Sequence, residues 1–174
     1  LVAAFDDDPW FNYLAKQDAH RRKRLRGWLD RGLRRKTFPH GETYMATDGS
    51  GANCHMSSVA ICALLTRVGY SPILQISCRD YNRIAIQGDL IGAAALGIQN
   101  ILCLTGDYPT VGDHKEAKPV YDLDSVQVMQ LVQGLNGGKD MMGNRLDGST
   151  AFTIGAAVTP EAELVGRRVV GAVN

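Results

Sequence analysis

No apolar run in these 174 residues approaches the roughly 20 that a membrane span needs. The opening LVAAFDDDPW has neither the basic n-region nor the long apolar h-region of a signal peptide, so a cytoplasmic protein is expected. Cysteine is sparse. Cys54, Cys62, Cys78 and Cys103 include no pair at the C-x₂-C spacing of a zinc site, and reduced thiols packed as small hydrophobes are expected. Without such a pair or a partner histidine, no metal site is expected. An excess of one charge sign is also missing, since 19 Lys and Arg face 18 Asp and Glu. With 45% hydrophobic and 21% charged residues, the chain has the profile of a soluble globular domain with a real core.

The balanced total hides an asymmetry. Residues 1–40 carry ten of the 19 basic residues, including the run HRRKRLR from His20 to Arg26. Such a cluster can bind nucleic acid, but no aromatic residue interleaves it to stack on bases. Phe11, Leu14, Leu25, Trp28, Leu29 and Leu33 fall at partly helical spacing, and Asp8-Pro9 is a suitable N-cap and first-turn pair. The expectation for residues 1–40 is a basic amphipathic helical segment with a solvated face, binding neither nucleic acid nor membrane.

From residue 41 a β-loop-α-Gly rhythm repeats. Strands are predicted at Tyr44–Thr47, Ile73–Cys78, Ile101–Leu104 and Phe152–Ala157. Helices are predicted after Ser57 or Ser58, after Asp80 or Asn82, and after Asp124, with another starting at Thr159-Pro160-Glu161. Strands with little alternation are buried on both faces, which means a parallel sheet covered by helices. Both a doubly wound sheet and a (β/α)₈ barrel fit, and both bind ligands at the C-terminal ends of their strands. Those ends read TDGSG, SCRD, TGD and AVTPE, whereas the opposite loops are terse.

The G-S-G at 49–51 falls short of a dinucleotide fingerprint. Cys54 stands at its last glycine position, and no acidic residue follows about 20 positions on. Asp107, after an apolar strand and a glycine, should project into the mouth of the sheet, either to orient a substrate amine or cofactor ring or to brace a loop. Arg79 and Asp80 can form a surface ion pair of little consequence; Arg79, Arg83 and Lys118 can equally hold a phosphate or carboxylate. His114, in a polar loop, is expected to face solvent.

Together these segments resemble a known family. ILQISCRDYNRIAIQGDLIGAAALGIQNILCLTGDYPTVGDHKEAKPVYDLDSVQVMQLV, preceded by TDGSGANCHMSS and followed by FTIGAAVTPEAE, is similar to the central part of methylenetetrahydrofolate reductase, in the branch associated with homocysteine or corrinoid methyltransferases. The likeness runs from Tyr44 to Glu163. It implies a partial (β/α)₈ barrel with FAD across the strand ends, NAD(P)H as the reductant and a folate as the substrate. It also implies partnership with a methyltransferase or a second copy of the chain. By motif, Thr47 and Asp48 would lie beside the flavin. Thr105, Gly106 and Asp107 would meet its ring, with Asp107 also facing the pterin in a catalytic role. Tyr121, Asp122, Ala157 and Val158 would contact the flavin, and Gln75 stands where many members have histidine.

The chain also departs from the family. The family's first strand carries a glutamate that acts as an acid, and residues 1–40 show no strand followed by one; Glu42 is a poor substitute. By the family's count, residues 41–174 hold strands two to five of the eight in such a barrel. A fragment of a longer gene is the expected explanation, ahead of a half-barrel completed by a partner or a rebuilt remnant. Two functions follow: the core of a flavin-dependent reductase, or a non-catalytic flavin- or folate-binding half-barrel that needs a partner chain. A flavin-free reductase or a simple nucleotide-binding domain is a third.

Overall fold

The computed structural model describes residues 33–38 and 41–157. Five strands form one sheet in chain order: β1 (Leu33–Phe38), β2 (Gly41–Ala46), β3 (Ile73–Ser77), β4 (Asn100–Leu104) and β5 (Thr153–Ala156). Strands β2 to β5 are parallel, with Met45 opposite Ile73, Ile73 opposite Asn100 and Asn100 opposite Thr153. The predicted β/α rhythm is present, its strand ends shifted by at most three residues.

β1 corrects the sequence reading. Residues 33–38, assigned there to the end of a helical segment, form a strand antiparallel to β2, with Leu33 opposite Ala46 and Phe38 opposite Gly41. Apolar Leu33 fitted a helical spacing, but LRRKTF is too short and too polar for its period to separate helix from strand. The rest of that segment, residues 1–32, and the helix predicted from Thr159 lie outside the described residues.

Three helices connect the parallel strands: α1 (Ser58–Arg67), α2 (Arg83–Ala95) and α3 (Ser125–Asn136). Each begins on a side-chain cap that satisfies orphan backbone donors. Ser57 accepts from the Ala60 N–H, and Asn82 accepts from those of Ile84 and Ala85. Asp124 and Gln127 form a reciprocal capping box, with bonds of 2.8 and 2.9 Å. Each helix ends with the same pair of backbone bonds, as when Ile98 N–H reaches Ala93 and Gly97 N–H reaches Ala94. This closure needs a residue at positive φ, and Gly97 supplies it at 79°.

Buried positions on α2 (Ile86, Leu90, Ala93) and α3 (Val128, Leu131, Val132, Leu135) follow the helical period. They join Ile61 and Leu65 of α1 and one face of the sheet, Leu74, Ile76, Ile101 and Cys103, in a single core. Burying each large aliphatic side chain there contributes about 1.5–3 kcal/mol before entropy is counted. The opposite sheet face carries Gln75, Ser77 and Leu104, which wall a cavity.

A doubly wound sheet reverses its strand order at a switch point and carries helices on both faces. Here β2 to β5 advance without reversal and the three helices pack on one face. These units are an arc of a (β/α) barrel, with Gln75 and Ser77 on its concave side.

Candidate functional site

Beyond the C-terminal ends of the parallel strands lies a cavity of about 370 Å³, within the roughly 300–1,000 Å³ usual for small-molecule sites. Asp48, Gly49 and Ser50 wall it from the loop after β2, and Gln75 and Ser77 from β3. Cys103 to Asp107 come from β4 and its loop, Ser125 from the start of α3 and Ala157 from the end of β5. A second cavity of about 380 Å³ lies on the sheet between Ser71, Ile73, Asn100, Leu102 and Gly155. No titratable side chain lines it, so the chemistry belongs to the first.

Asp48 is held against β3. Its Oδ2 accepts the Ser77 N–H at 2.8 Å. Burial raises its pKa; the bonds from Ser77 oppose that rise, Asp80 adds to it and Arg79 counters it. Ser77 is 1% exposed. Its Oγ has no partner at hydrogen-bonding geometry, although it lies close enough to the Asp48 carboxylate to help hold its charge. Gln75, 8% exposed, donates from its amide to the Met45 sulfur at 2.9 Å, a weak acceptor.

Asp107 reaches the cavity as its sequence position predicts. It is exposed, and its Oδ2 accepts the Gly51 N–H at 3.2 Å, joining the loops after β2 and β4. Gly106 precedes it at φ 92°, and a Cβ there would stand 3.1 Å from Ser77 Cβ and 3.2 Å from Arg79 Cβ. Thr105 lies 3.3 Å from Ser125, hydroxyl to hydroxyl, and also lines an adjoining cavity with Tyr121, Leu123, Asp124 and Gln127.

Arg79 is the hub of these loops. It is 5% exposed and binds Asp80 through Nε and Nη2. Its Nη1 donates to the carbonyl oxygens of Gly49 at 3.0 Å and Asp107 at 3.4 Å. Its own carbonyl accepts the Val120 N–H at 2.7 Å. The expectation of a weak surface pair at Arg79 is therefore overturned: the guanidinium is buried, and it holds two loops as well as Asp80. The loop placement was legible; the burial was not, because it depends on Gly49 and Gly106 leaving space.

Other predicted positions divide. Tyr121, at φ 42°, donates from its hydroxyl to the Asp107 carbonyl at 3.1 Å and stacks on Tyr108 with ring centroids 6.0 Å apart. Thr47 is buried at the end of β2, and the cavity walls do not include it. Asp122 is turned away. It accepts the Arg83 backbone N–H and two bonds from the Arg83 guanidinium, each at 2.8 Å, and these hold its pKa down at about 2. Arg83 is thus engaged at the start of α2 rather than in the cavity. His114 is exposed, 3.9 Å from Asp113. Val158 lies outside the described residues. The sequence reading put Ser77 at a ligand-binding strand end without a role of its own and missed Ser125, whose position at a helix start was the available signal.

Among the described residues no cluster of three metal-ligating side chains occurs, and no helix is long and apolar enough to cross a membrane. No curated protein and no solved structure matches the chain. The family profile described as methylenetetrahydrofolate reductase matches residues 26–164, which takes in every strand and helix of the sheet and every wall of the cavity. The consecutive parallel units and the TGD turn at the cavity mouth are parts of that match, and the chain belongs to the methylenetetrahydrofolate reductase family.

Proposed function

We propose that this chain carries the flavin and folate site of a reductase that converts 5,10-methylenetetrahydrofolate to 5-methyltetrahydrofolate. The observation that carries the reading is the polar cavity at the strand ends, lined together by Asp48, Ser77, Thr105, Gly106 and Asp107. A concave site with a few convergent polar groups suits a ligand whose edges carry hydrogen-bonding atoms.

The walls fit FAD. A flavin ring is flat and needs close backbone approach on one side and polar contacts at its edge. Gly49 and Gly106 stand in the walls, and Gln75, Ser77, Thr105 and Ser125 present polar groups. Ala157 adds a small apolar contact. These residues would hold the ring, with Tyr121 bracing the loop that carries Asp107. When bound and reduced, by NAD(P)H in this proposal, the flavin supplies a hydride. Asp107, exposed at the mouth, would orient the amino group of the pterin by a charge-assisted bond.

The test is the visible spectrum of the purified chain with added FAD. Bands of a bound flavin, bleached by reductant and restored by 5,10-methylenetetrahydrofolate, support the reading. A chain that leaves FAD free in solution refutes it. One observation favours a second reading, a half-barrel whose site a partner completes: Ile73, Leu102 and Gly155 are only partly covered around the apolar cavity on the concave face. Flavin uptake that appears only with chain association distinguishes it.

A further inference from the structure

Helix α2 has an outer face that no described residue covers. The 3.6-residue period aligns Ile84, Gly88, Ile91 and Ala95 in one stripe, opposite the buried Ile86, Leu90 and Ala93. All four are exposed, Ile84 to 76%. No charge interrupts the stripe. The two charged residues of the helix lie to its sides, where Arg83 is bonded to Asp122 and Asp89 is half-buried. A surface helix ordinarily turns a polar face outward. Met142, 78% exposed, adds apolar surface beside α2, because the Gln87 side chain accepts the Met141 N–H at 2.8 Å.

Gly88 has no use inside the chain. Its φ is not positive, so other residues could adopt its backbone. A Cβ there would meet nothing within 4 Å, so no neighbour needs the space. Glycine inside a helix weakens it relative to alanine. The same holds for Gly92, one turn further along the edge of the stripe. The room these glycines leave opens outward, and small residues at a contact let two helix axes approach closely.

We propose that this face pairs two copies of the chain, α2 against α2, in an antiparallel two-fold dimer. The occupant follows from the order of the side chains. Along the stripe they run large, small, large, small, a pattern that is its own complement when reversed. The register that sets Ile91 of one copy over Gly88 of the other also sets Ile84 over Ala95, and the two-fold axis repeats both contacts. A stripe free of charge brings no like charges together, and antiparallel helices oppose their dipoles. The strip is one helix wide and about 20 Å long, short of the roughly 800 Å² per partner of a standard interface. The dimer is therefore a weak one that dissociates on dilution. It does not depend on what the strand-end cavity binds.

Sedimentation equilibrium of the whole chain tests the pairing. The mass should rise from that of one chain at about 1 µM toward that of two at about 100 µM. Gly88→Leu fills the gap and should weaken association at least about tenfold. The same substitution raises helix propensity, so urea unfolding at the lower concentration should show no loss of stability. Gly88→Glu and Ile91→Lys should each be monomeric alone and associate when mixed, since the register sets the two new charges face to face. A chain that stays monomeric at the higher concentration overturns the proposal. A dimer that Gly88→Leu leaves intact also overturns it, and assigns association to another surface such as the concave face of the sheet. Failure of the mixed variants to associate overturns the antiparallel register.

Discussion

The Arg79 guanidinium donates to the Gly49 carbonyl at 3.0 Å, and that approach exists because residue 49 has no side chain. Gly49 sits at φ 53°, and a Cβ built there would collide with Arg79 Nη2. A left-handed conformation costs a non-glycine residue about 1–2 kcal/mol. Gly69 also has positive φ, 88°, but a Cβ there meets nothing within 4 Å. Gly69→Ala is therefore expected to lose only that conformational cost. Gly49→Ala is expected to lose more, because it also displaces the cation that ties Gly49 to Asp107. Urea unfolding of the two variants measures the difference, and equal losses would show that the Arg79 contact contributes nothing.

Thiol reactivity should single out one cysteine. Burial pushes the Cys62, Cys78 and Cys103 thiols up to about 12. At pH 8 only about one molecule in ten thousand then carries the reactive thiolate at any of them. Cys54 is exposed. A disulfide reagent should modify one thiol per native chain quickly and all four in urea, and peptide mapping should place the fast site at Cys54. Fast modification of Cys78 would contradict its burial in the core.

The Asp122–Arg83 pair sets an acid-sensitive contribution. The folded pKa of Asp122, about 2, is depressed from 3.8 by the bonds and charge of Arg83. A depressed carboxylate contributes stability that is present above its unfolded pKa and is lost as pH falls through the folded value. Asp122→Asn should therefore be less stable than the parent at pH 5, with the gap narrowing toward pH 2. Added salt should shrink the gap at pH 5, because Arg83 is exposed. A gap independent of pH would assign the loss to the backbone bond alone.

Elements whose signals are local were legible in the sequence. Ser57, Asn82 and Asp124 cap helices because each precedes an apolar period, and β3 and β4 are short β-branched or apolar runs between turns. Asp107 could be placed at the mouth because it follows a strand and a glycine. What escaped depends on contacts between loops far apart in sequence. The burial of Arg79 needs Gly49 and Gly106 to leave space. Asp122 was assigned to the flavin with Tyr121 by the family motif, but pairing with Arg83, 39 residues earlier, turns it outward. The place of the Ser77 hydroxyl in the cavity wall becomes visible only once its strand face is known.

Asp48 should oppose stability at neutral pH. Its folded pKa is raised above the ordinary 3.8, first by burial. The folded state therefore holds the proton more tightly than the unfolded chain does. The stability linked to that proton is complete below pH 3.8 and is lost as pH rises through the folded value. At neutral pH the unaltered chain must either desolvate a charge or bind a proton from dilute solution, and both cost free energy. Asp48→Asn keeps an oxygen for the Ser77 N–H and carries no charge. The variant should unfold at a higher urea concentration than the parent at pH 7, and the advantage should vanish at pH 3. A destabilised variant at pH 7 would mean that the bonds to the ionised carboxylate outweigh its burial, and Asp48 would then be a structural brace between the loop after β2 and β3.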